Sequence, residues 1–405
     1  MKKVKIVIGA NFGDEGKGVI TDYITRTTEE PVVIRFNSGS QAGHTVISRD
    51  GTRHVFGHFG SGTFNNVPTF LSKYFVVNPL IFLKERNELI NKGVNPKVFV
   101  DSRCLITTPY DMMLNQMIEN ARGDKKHGSC GLGFNETLIR NKDNRYRLTM
   151  KEIDKDNMKA TLIKIRDEYV IARLKEVNID SVMEEFKDIL KSDDIIENFI
   201  YDVMEFQKNI QIKEIKDINT KYKTLIFEGA QGLMLHQDYK YFPHVTPSNT
   251  GIENVLNLLD ECYRSNENEL DIEAIYVTRA YLTRHGEGPM PGEVNEKPYS
   301  KIVDLTNIYN KYQGNLRFGL LNIDLLNENI KYDFNKAKDY KFKVKKSIAV
   351  TCIDQIDGNA KYIYENNNCE SSIEKFEENI KLKIEPYNYY RRIDNGDFGK
   401  VIYKK

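Results

Sequence analysis

Short β-branched runs in which most apolar side chains sit on consecutive positions instead of alternating constrain this fold more than any other feature. Val4–Gly9, Val32–Phe36, Val98–Val100, Leu225–Glu228, Ala274–Arg279 and Ile348–Ile353 are of this kind. A strand with one face in water alternates apolar and polar residues. Consecutive apolar residues suit strands covered on both faces, as in a mainly parallel sheet flanked by helices. Several runs end in Gly, Asp, Glu or Asn and pass into a loop, and the carboxyl ends of strands are where open α/β sheets bind ligands. Between about Met150 and Ile218 the pattern changes to Lys, Glu, Leu and Ile at helical spacing, as in Met183–Leu190. The expectation is an α/β fold: one large domain over 1–405 with a mainly parallel central sheet, a P-loop-like first turn and a mostly helical insertion at about 150–220.

Composition narrows the function classes. The 405 residues, 40% hydrophobic and 29% charged, fall outside the disordered range. Lys and Arg total 59 against 58 Asp and Glu, so no overall basic field points to nucleic acid. Cys104, Cys130, Cys262, Cys352 and Cys369 are scattered, with no Cys-x-x-Cys pair, which argues against a disulfide framework or structural zinc. The apolar run in MKKVKIVIGANFGDEGKG is too short for a secretory leader, and no run approaches the roughly 18 apolar residues of a membrane span. A cytoplasmic protein with small-molecule partners is expected.

Three glycine-rich segments carry the chemistry. The first strand leads into Gly9-Ala10-Asn11-Phe12-Gly13-Asp14-Glu15-Gly16-Lys17-Gly18 and then a helix-compatible stretch. Such glycines let backbone N–H groups approach an anion, the helix start adds a favourable dipole, and Lys17 adds a point charge. The P-loop spacing is absent, and Gly18 stands where a magnesium-binding hydroxyl is usual. If a nucleotide binds, an acidic residue of the loop must take that task, and Asp14 is the candidate. The competing reading is a strand–turn–helix whose glycines serve packing. The second strand ends in Asn37-Ser38-Gly39-Ser40-Gln41-Ala42-Gly43-His44-Thr45, where His44 among small residues could donate a proton to a phosphoryl oxygen. The third segment, Phe227-Glu228-Gly229-Ala230-Gln231-Gly232, leads to Val245-Thr246-Pro247-Ser248-Asn249-Thr250. The Gln231 amide suits a heterocycle edge, and the Thr246 and Ser248 hydroxyls suit phosphate.

Together these segments resemble the adenylosuccinate synthetase family, which joins L-aspartate to IMP at the expense of GTP. The resemblance rests on GDEGKG (13–18), AGHT (42–45), FEGAQG (227–232), VT-x-SNT (245–250) and TR-x-G-x-GP (283–289). It implies that Asp14 is the general base that removes the purine N1 proton, and a magnesium ligand together with the backbone of Gly43. It implies that His44 is the general acid acting on the 6-oxygen. Gly13, Glu15, Gly16, Lys17, Gly18, Gly43, Thr45 and Asp354 would contact the triphosphate nucleotide. Asn11, Gln41, Ser129, Cys130, Arg140, Gln231, Thr246 and Arg317 would contact the other substrates. The family is commonly a homodimer with an arginine reaching into the neighbouring site, and Arg140 is the positional candidate.

The chain departs from the family pattern at four places. Gln41 replaces Asn, lengthening the amide arm by one methylene. The aspartate loop reads Tyr312-Gln313-Gly314-Asn315-Leu316-Arg317, with a single guanidinium, and Arg279, Arg284 and Lys311 are the nearby cations that could compensate. Cys352 stands where a lysine would stack on guanine, leaving Asp354 to read that base, and the C-terminal Ser-Thr-Gly-Pro is missing. The expected function is a ligase condensing L-aspartate with a 6-oxopurine nucleotide, IMP by default, using Mg²⁺ and GTP or ATP. Two alternatives are a viral-type ligase acting on dGMP and an inactive purine-nucleotide-binding regulator. Asp14 weighs against the first, and the retained Asp14, Lys17 and His44 weigh against the second.

Overall fold

The computed structural model describes residues 1–123, 129–179, 182–263, 270–303, 314–393 and 397–402. Its framework is a ten-stranded sheet. In chain order the strands are β1 (Lys2–Gly9), β2 (Pro31–Arg35), β3 (Thr69–Leu71), β4 (Val98–Val100), β5 (Gln211–Ile212), β6 (Thr224–Gly232), β7 (Leu270–Arg279), β8 (Val344–Thr351), β9 (Asn388–Ile393) and β10 (Asp397–Ile402). Across the sheet the order is β10-β9-β8-β7-β1-β6-β2-β3-β4-β5. Every neighbouring pair is parallel except the closing β9–β10 hairpin.

Burial on both faces explains the consecutive apolar residues. Val4, Ile6 and Ile8 of β1, with Val32, Ile34, Leu225 and Phe227, face a core that includes Val255, Leu326 and Phe376 from helices Glu253–Cys262, Ile323–Asn335 and Ile373–Ile384. Val7, Ile226, Ile275 and Ala349 face the other way and pack on Ile20 and Ile24 of α1 (Lys17–Thr27). Leu71, Val98 and Val100 join a further core containing Met158, Leu162, Ile200 and Val203. These last residues lie in the helices between 155 and 208, and the helix expected over Met183–Leu190 is found at Glu184–Lys191.

Two boundaries differ from expectation in ways that affect the site. The run at Leu225–Glu228 continues as strand through Gly232, with a register irregularity against β1 between Val7 and Gly9. The third glycine-rich motif is therefore the end of a strand, not a loop after one. The last apolar run spans Val344–Thr351 and stops before Cys352, whose φ of 60° breaks the extended backbone. A smaller sheet, built from Tyr281–Arg284, Arg317–Asn322, Ala360–Tyr364 and Asn367–Ser371 with Glu293–Val294 alongside, sits beyond the end of β7. Among the described residues no helix is long and apolar enough to cross a membrane. All five cysteines are free thiols.

Candidate active site

β1 ends at Gly9, and the chain turns through 10–16 before α1 begins at Lys17. Gly13 and Gly16 have φ of 95° and 90°, and Asp14 between them has φ 53°. Gly16 is forced twice over, because a Cβ there would also lie 2.9 Å from Thr351 Cγ2. No side chain caps the first N–H groups of α1 and its first turn holds no acidic residue, which leaves those donors for an anion. Behind them lie two charged heads. A Cβ on Gly9 would come within 2.5 Å of Glu15 Oε2 and 3.0 Å of Lys17 Nζ. Glu15 Oε1 accepts from the backbone N–H and the Nδ2 of Asn11, both at 2.9 Å, while Oε2 is buried with no hydrogen-bond partner among the described residues. Burial pushes the Glu15 carboxyl up to about 7 against the pull of Lys17. Burial pulls the Lys17 ammonium down, with Glu15 and Asp14 opposing.

His44 opens a hairpin in which His44–Ile47 pairs with Arg53–Phe56. Its Nδ1 lies 2.7 Å from Glu228 Oε1 at the buried end of β6, and Glu228 Oε2 accepts from the Ser61 N–H at 3.0 Å. Burial alone would raise the Glu228 carboxyl, but His44, Arg35 and the Ser61 hydroxyl outweigh it and hold it at about 2. A carboxylate can only accept, so Nδ1 carries the proton of that bond. Nε2 is buried and has no hydrogen-bond partner among the described residues. Burial lowers the imidazole's proton affinity below the usual histidine value, with Glu228 opposing. Glu228 escaped the sequence reading. Its signal was a carboxylate inside an otherwise apolar strand, where an unpaired charge is too costly to keep.

The loop at 10–16 and the β6 end pack directly on each other. A Cβ on Gly13 would sit 3.4 Å from Gln231 Cα, and Gln231 has φ 64°. Together with the His44 hairpin they wall a cavity of about 1590 Å³, larger than the usual few hundred to 1000 Å³ of a single small-ligand site. Asp14 and His44 both line it, as do Gly13, Glu15, Gly16, Lys17 and Gly18 from the first segment and Gln41, Gly43 and Thr45 from the second. Ser129, Cys130, Gln231 and Thr246 complete the predicted set on its wall. Gln41 Nε2 donates to Ser38 Oγ at 2.7 Å, and Asn115 Nδ2 holds the Ser129 hydroxyl at 2.7 Å. Burial raises the Cys130 thiol to about 11, so it is a neutral wall group.

Four predicted residues do not line the cavity. Asn11 lies beneath it, holding Glu15 and donating to Thr278 Oγ1 at 3.0 Å. Arg140 is fully buried. It pairs with both oxygens of Asp111 at 2.8 and 2.9 Å and donates to the carbonyls of Tyr146 and Ile106, so it has no reach toward a neighbouring subunit. Arg317 is claimed by Glu293 at 2.7 Å and by the carbonyls of Gly286 and Gly288. Asp354 sits on an exposed turn two residues past Cys352, where the lining ends. Arg279 and Arg284 do line the cavity, and Arg284 lies 4.5 Å over the Phe12 ring. Lys311, Tyr312, Gln313 and His127 lie outside the described residues.

The family model described as adenylosuccinate synthetase matches residues 6–386. Adenylosuccinate synthetase of Halothermothrix orenii is 31% identical over 332 residues, covering 80% of this chain and 73% of that protein. The Mesoplasma florum protein of the same name is 29% identical over 293 residues, 71% of this chain and 64% of its own length. The match thus spans about two thirds of such relatives. Among solved structures, fully ligated adenylosuccinate synthetase from Plasmodium falciparum superposes with a TM-score of 0.71 at 18% identity, covering 99% of this chain and 100% of that one. Succinoaminodeoxyadenylate synthetase of cyanophage S-2L, bound to dGMP and dATP, gives 0.55 at 12% identity over 96% of this chain and 92% of that one. At these identities the structural likeness is one of fold.

Proposed function

The chain belongs to the adenylosuccinate synthetase family, and from that premise we propose that it condenses L-aspartate with a 6-oxopurine nucleotide, IMP by default, at the expense of GTP or ATP. One observation carries the reading. Asp14 and His44, delivered by separate loops, line the same cavity, and His44 Nε2 is buried there without a hydrogen-bond partner among the described residues. A purine 6-oxygen is a poor leaving group. Asp14 takes the N1 proton, which makes the 6-oxygen a better nucleophile toward the γ-phosphoryl group. His44, its Nδ1 fixed by Glu228, donates from Nε2 to the oxygen that accepts the phosphoryl. Burial keeps that imidazole neutral, and a bound polyanionic triphosphate would favour its charged, donating form. The aspartate amine then attacks C6 and the C–O bond breaks, releasing inorganic phosphate.

The start of α1 with Lys17 suits the triphosphate, and Gln41, Ser129, Gln231 and Thr246 suit the acceptor nucleotide. With Arg317 tied to Glu293, and Arg284 buried with its terminal nitrogens on the carbonyls of Pro289 and His244, Arg279 is the guanidinium on the cavity wall that we assign to an aspartate carboxylate. Magnesium fits the donors present: Asp14 and the backbone of Gly43 are hard oxygen ligands on the cavity wall. No group of three or more acidic, His or Cys ligands occurs among the described residues, which suits an ion completed by substrate phosphates and water. When bound, it would neutralise charge on the transferred phosphoryl group. A cytoplasmic homodimer, and one domain with the helical segment of about 150–220 set into it, complete the reading.

The test is a substrate matrix: IMP or dGMP, each with GTP or ATP, with aspartate and Mg²⁺, followed by phosphate release and succinyl-purine absorbance. Aspartate-dependent turnover on IMP is expected. Turnover on dGMP alone would move the chain to the viral-type activity, and nucleotide binding without turnover would leave a regulator.

A further inference from the structure

We infer that His285 is a positioning residue for Asp14, holding one carboxylate oxygen so that the other is presented to the nucleobase; the inference rests on the ligase reading above. His285 follows the strand Tyr281–Arg284, and its Nε2 lies 3.4 Å from Asp14 Oδ2. Both residues line the cavity. The other ring nitrogen, Nδ1, is buried with no hydrogen-bond partner among the described residues, and Nε2 is the ring atom at the carboxylate.

Asp14 needs such support. It occupies a left-handed backbone conformation at φ 53°, which a residue with a side chain keeps only when its surroundings impose it. Arg279 supplies the backbone part, donating from Nε to the Asp14 carbonyl. Arg279 closes β7, and β7 is paired along its length with β1, the strand that feeds the Asp14 loop. One short stretch, 279–285, therefore grips this loop at both its carbonyl and its carboxylate.

An unrestrained aspartate can swing about χ1 and offer either oxygen in several directions. The Nε2 contact on Oδ2 restricts that swing and leaves Oδ1 to meet the N1 proton. His285 thus touches no reacting atom and acts by way of Asp14. Nothing in the composition or spacing of the chain marked this histidine, because its partner is 271 positions away in sequence.

The test uses full-length His285→Ala, His285→Phe and His285→Gln. Phe keeps a planar ring of similar size, and Gln keeps an N–H donor near the Nε2 position. Loss of positioning predicts kcat lower by roughly 10- to 100-fold in the Ala and Phe variants. The KM for the purine nucleotide should stay within about threefold, and Gln should recover most of kcat. Wild-type kcat in the Phe variant, or a loss confined to KM, would overturn the inference. Crystal structures of wild type and His285→Phe test it without turnover, and so separate its failure from failure of the ligase reading. One Asp14 rotamer is expected in the wild type and more than one in the variant, whereas the same single rotamer in both would overturn it.

Discussion

Burial drives two groups of the cavity wall toward their uncharged forms, raising Glu15 to about 7 and lowering His44. The sign for Glu15 follows from linkage. Between its ordinary 4.5 and the folded value of about 7, the folded chain keeps a proton that the unfolded chain has released. Glu15 therefore makes stability fall as pH rises through that window, and the loss is complete above about 7. Chemical denaturation at pH 5 and pH 8 should show Glu15→Gln gaining on the wild type at the higher pH. A pH-independent difference would mean the carboxyl is not buried in this way. For His44 the matching residue is Glu228. Glu228→Gln removes the anion that fixes the Nδ1 proton and stabilises the charged ring. It should lower kcat by roughly 10²-fold or more while nucleotide affinity, read by calorimetry, changes little. That Asp14, Lys17 and His44 sit in loops open to a ligand was legible from sequence, because glycines and small residues frame them. Glu228 and His285 were not, since each earns its role from a contact across 184 or 271 positions. Arg140 and Arg317 were misjudged for the complementary reason: a guanidinium near a motif says nothing about whether Asp111 or Glu293 already claims it.

At the scale of elements, the site is the place where strand ends and one helix start meet at van der Waals distance. Gly232 illustrates the fit: a Cβ there would lie 2.2 Å from the Asn11 carbonyl oxygen. Gly16 illustrates the turn, with its positive φ and its contact with Thr351 at the end of β8. Gly16→Ala places a side chain in left-handed backbone at about 1–2 kcal/mol, and the clash must be relieved by moving the start of α1. Thermal unfolding should drop by several degrees, and triphosphate affinity should fall more than affinity for the monophosphate. Equal effects on the two ligands would mean that α1 does not form the triphosphate subsite. The strands themselves were readable because each is covered on both faces. What sequence could not supply was where β6 ends, because Gly229–Gly232 reads as a loop by composition and is held extended by Asn37, which bonds both the N–H and the carbonyl of Ala230.

For the whole molecule, the sheet order places β1 and β6 side by side, with β2 beyond β6, so the three glycine-rich segments converge although they lie up to some 220 residues apart. Arg140 belongs at this scale as part of the frame. Arg140→Ala would strand the Asp111 carboxylate without charge compensation, at about 3–5 kcal/mol. Its activity loss should therefore track loss of folded protein, and mixing with an Asp14→Asn chain should restore nothing. Restored turnover in that mixture would return Arg140 to a cross-subunit role. Whether Asp14 and His44 flank a 6-oxygen that is phosphorylated and then displaced is decided by following that oxygen. IMP carrying ¹⁸O at position 6 is incubated with GTP, Mg²⁺ and aspartate, and the released phosphate is examined by mass spectrometry. One labelled oxygen per phosphate released is the predicted result; unlabelled phosphate accompanying formation of the succinyl-purine would contradict the mechanism.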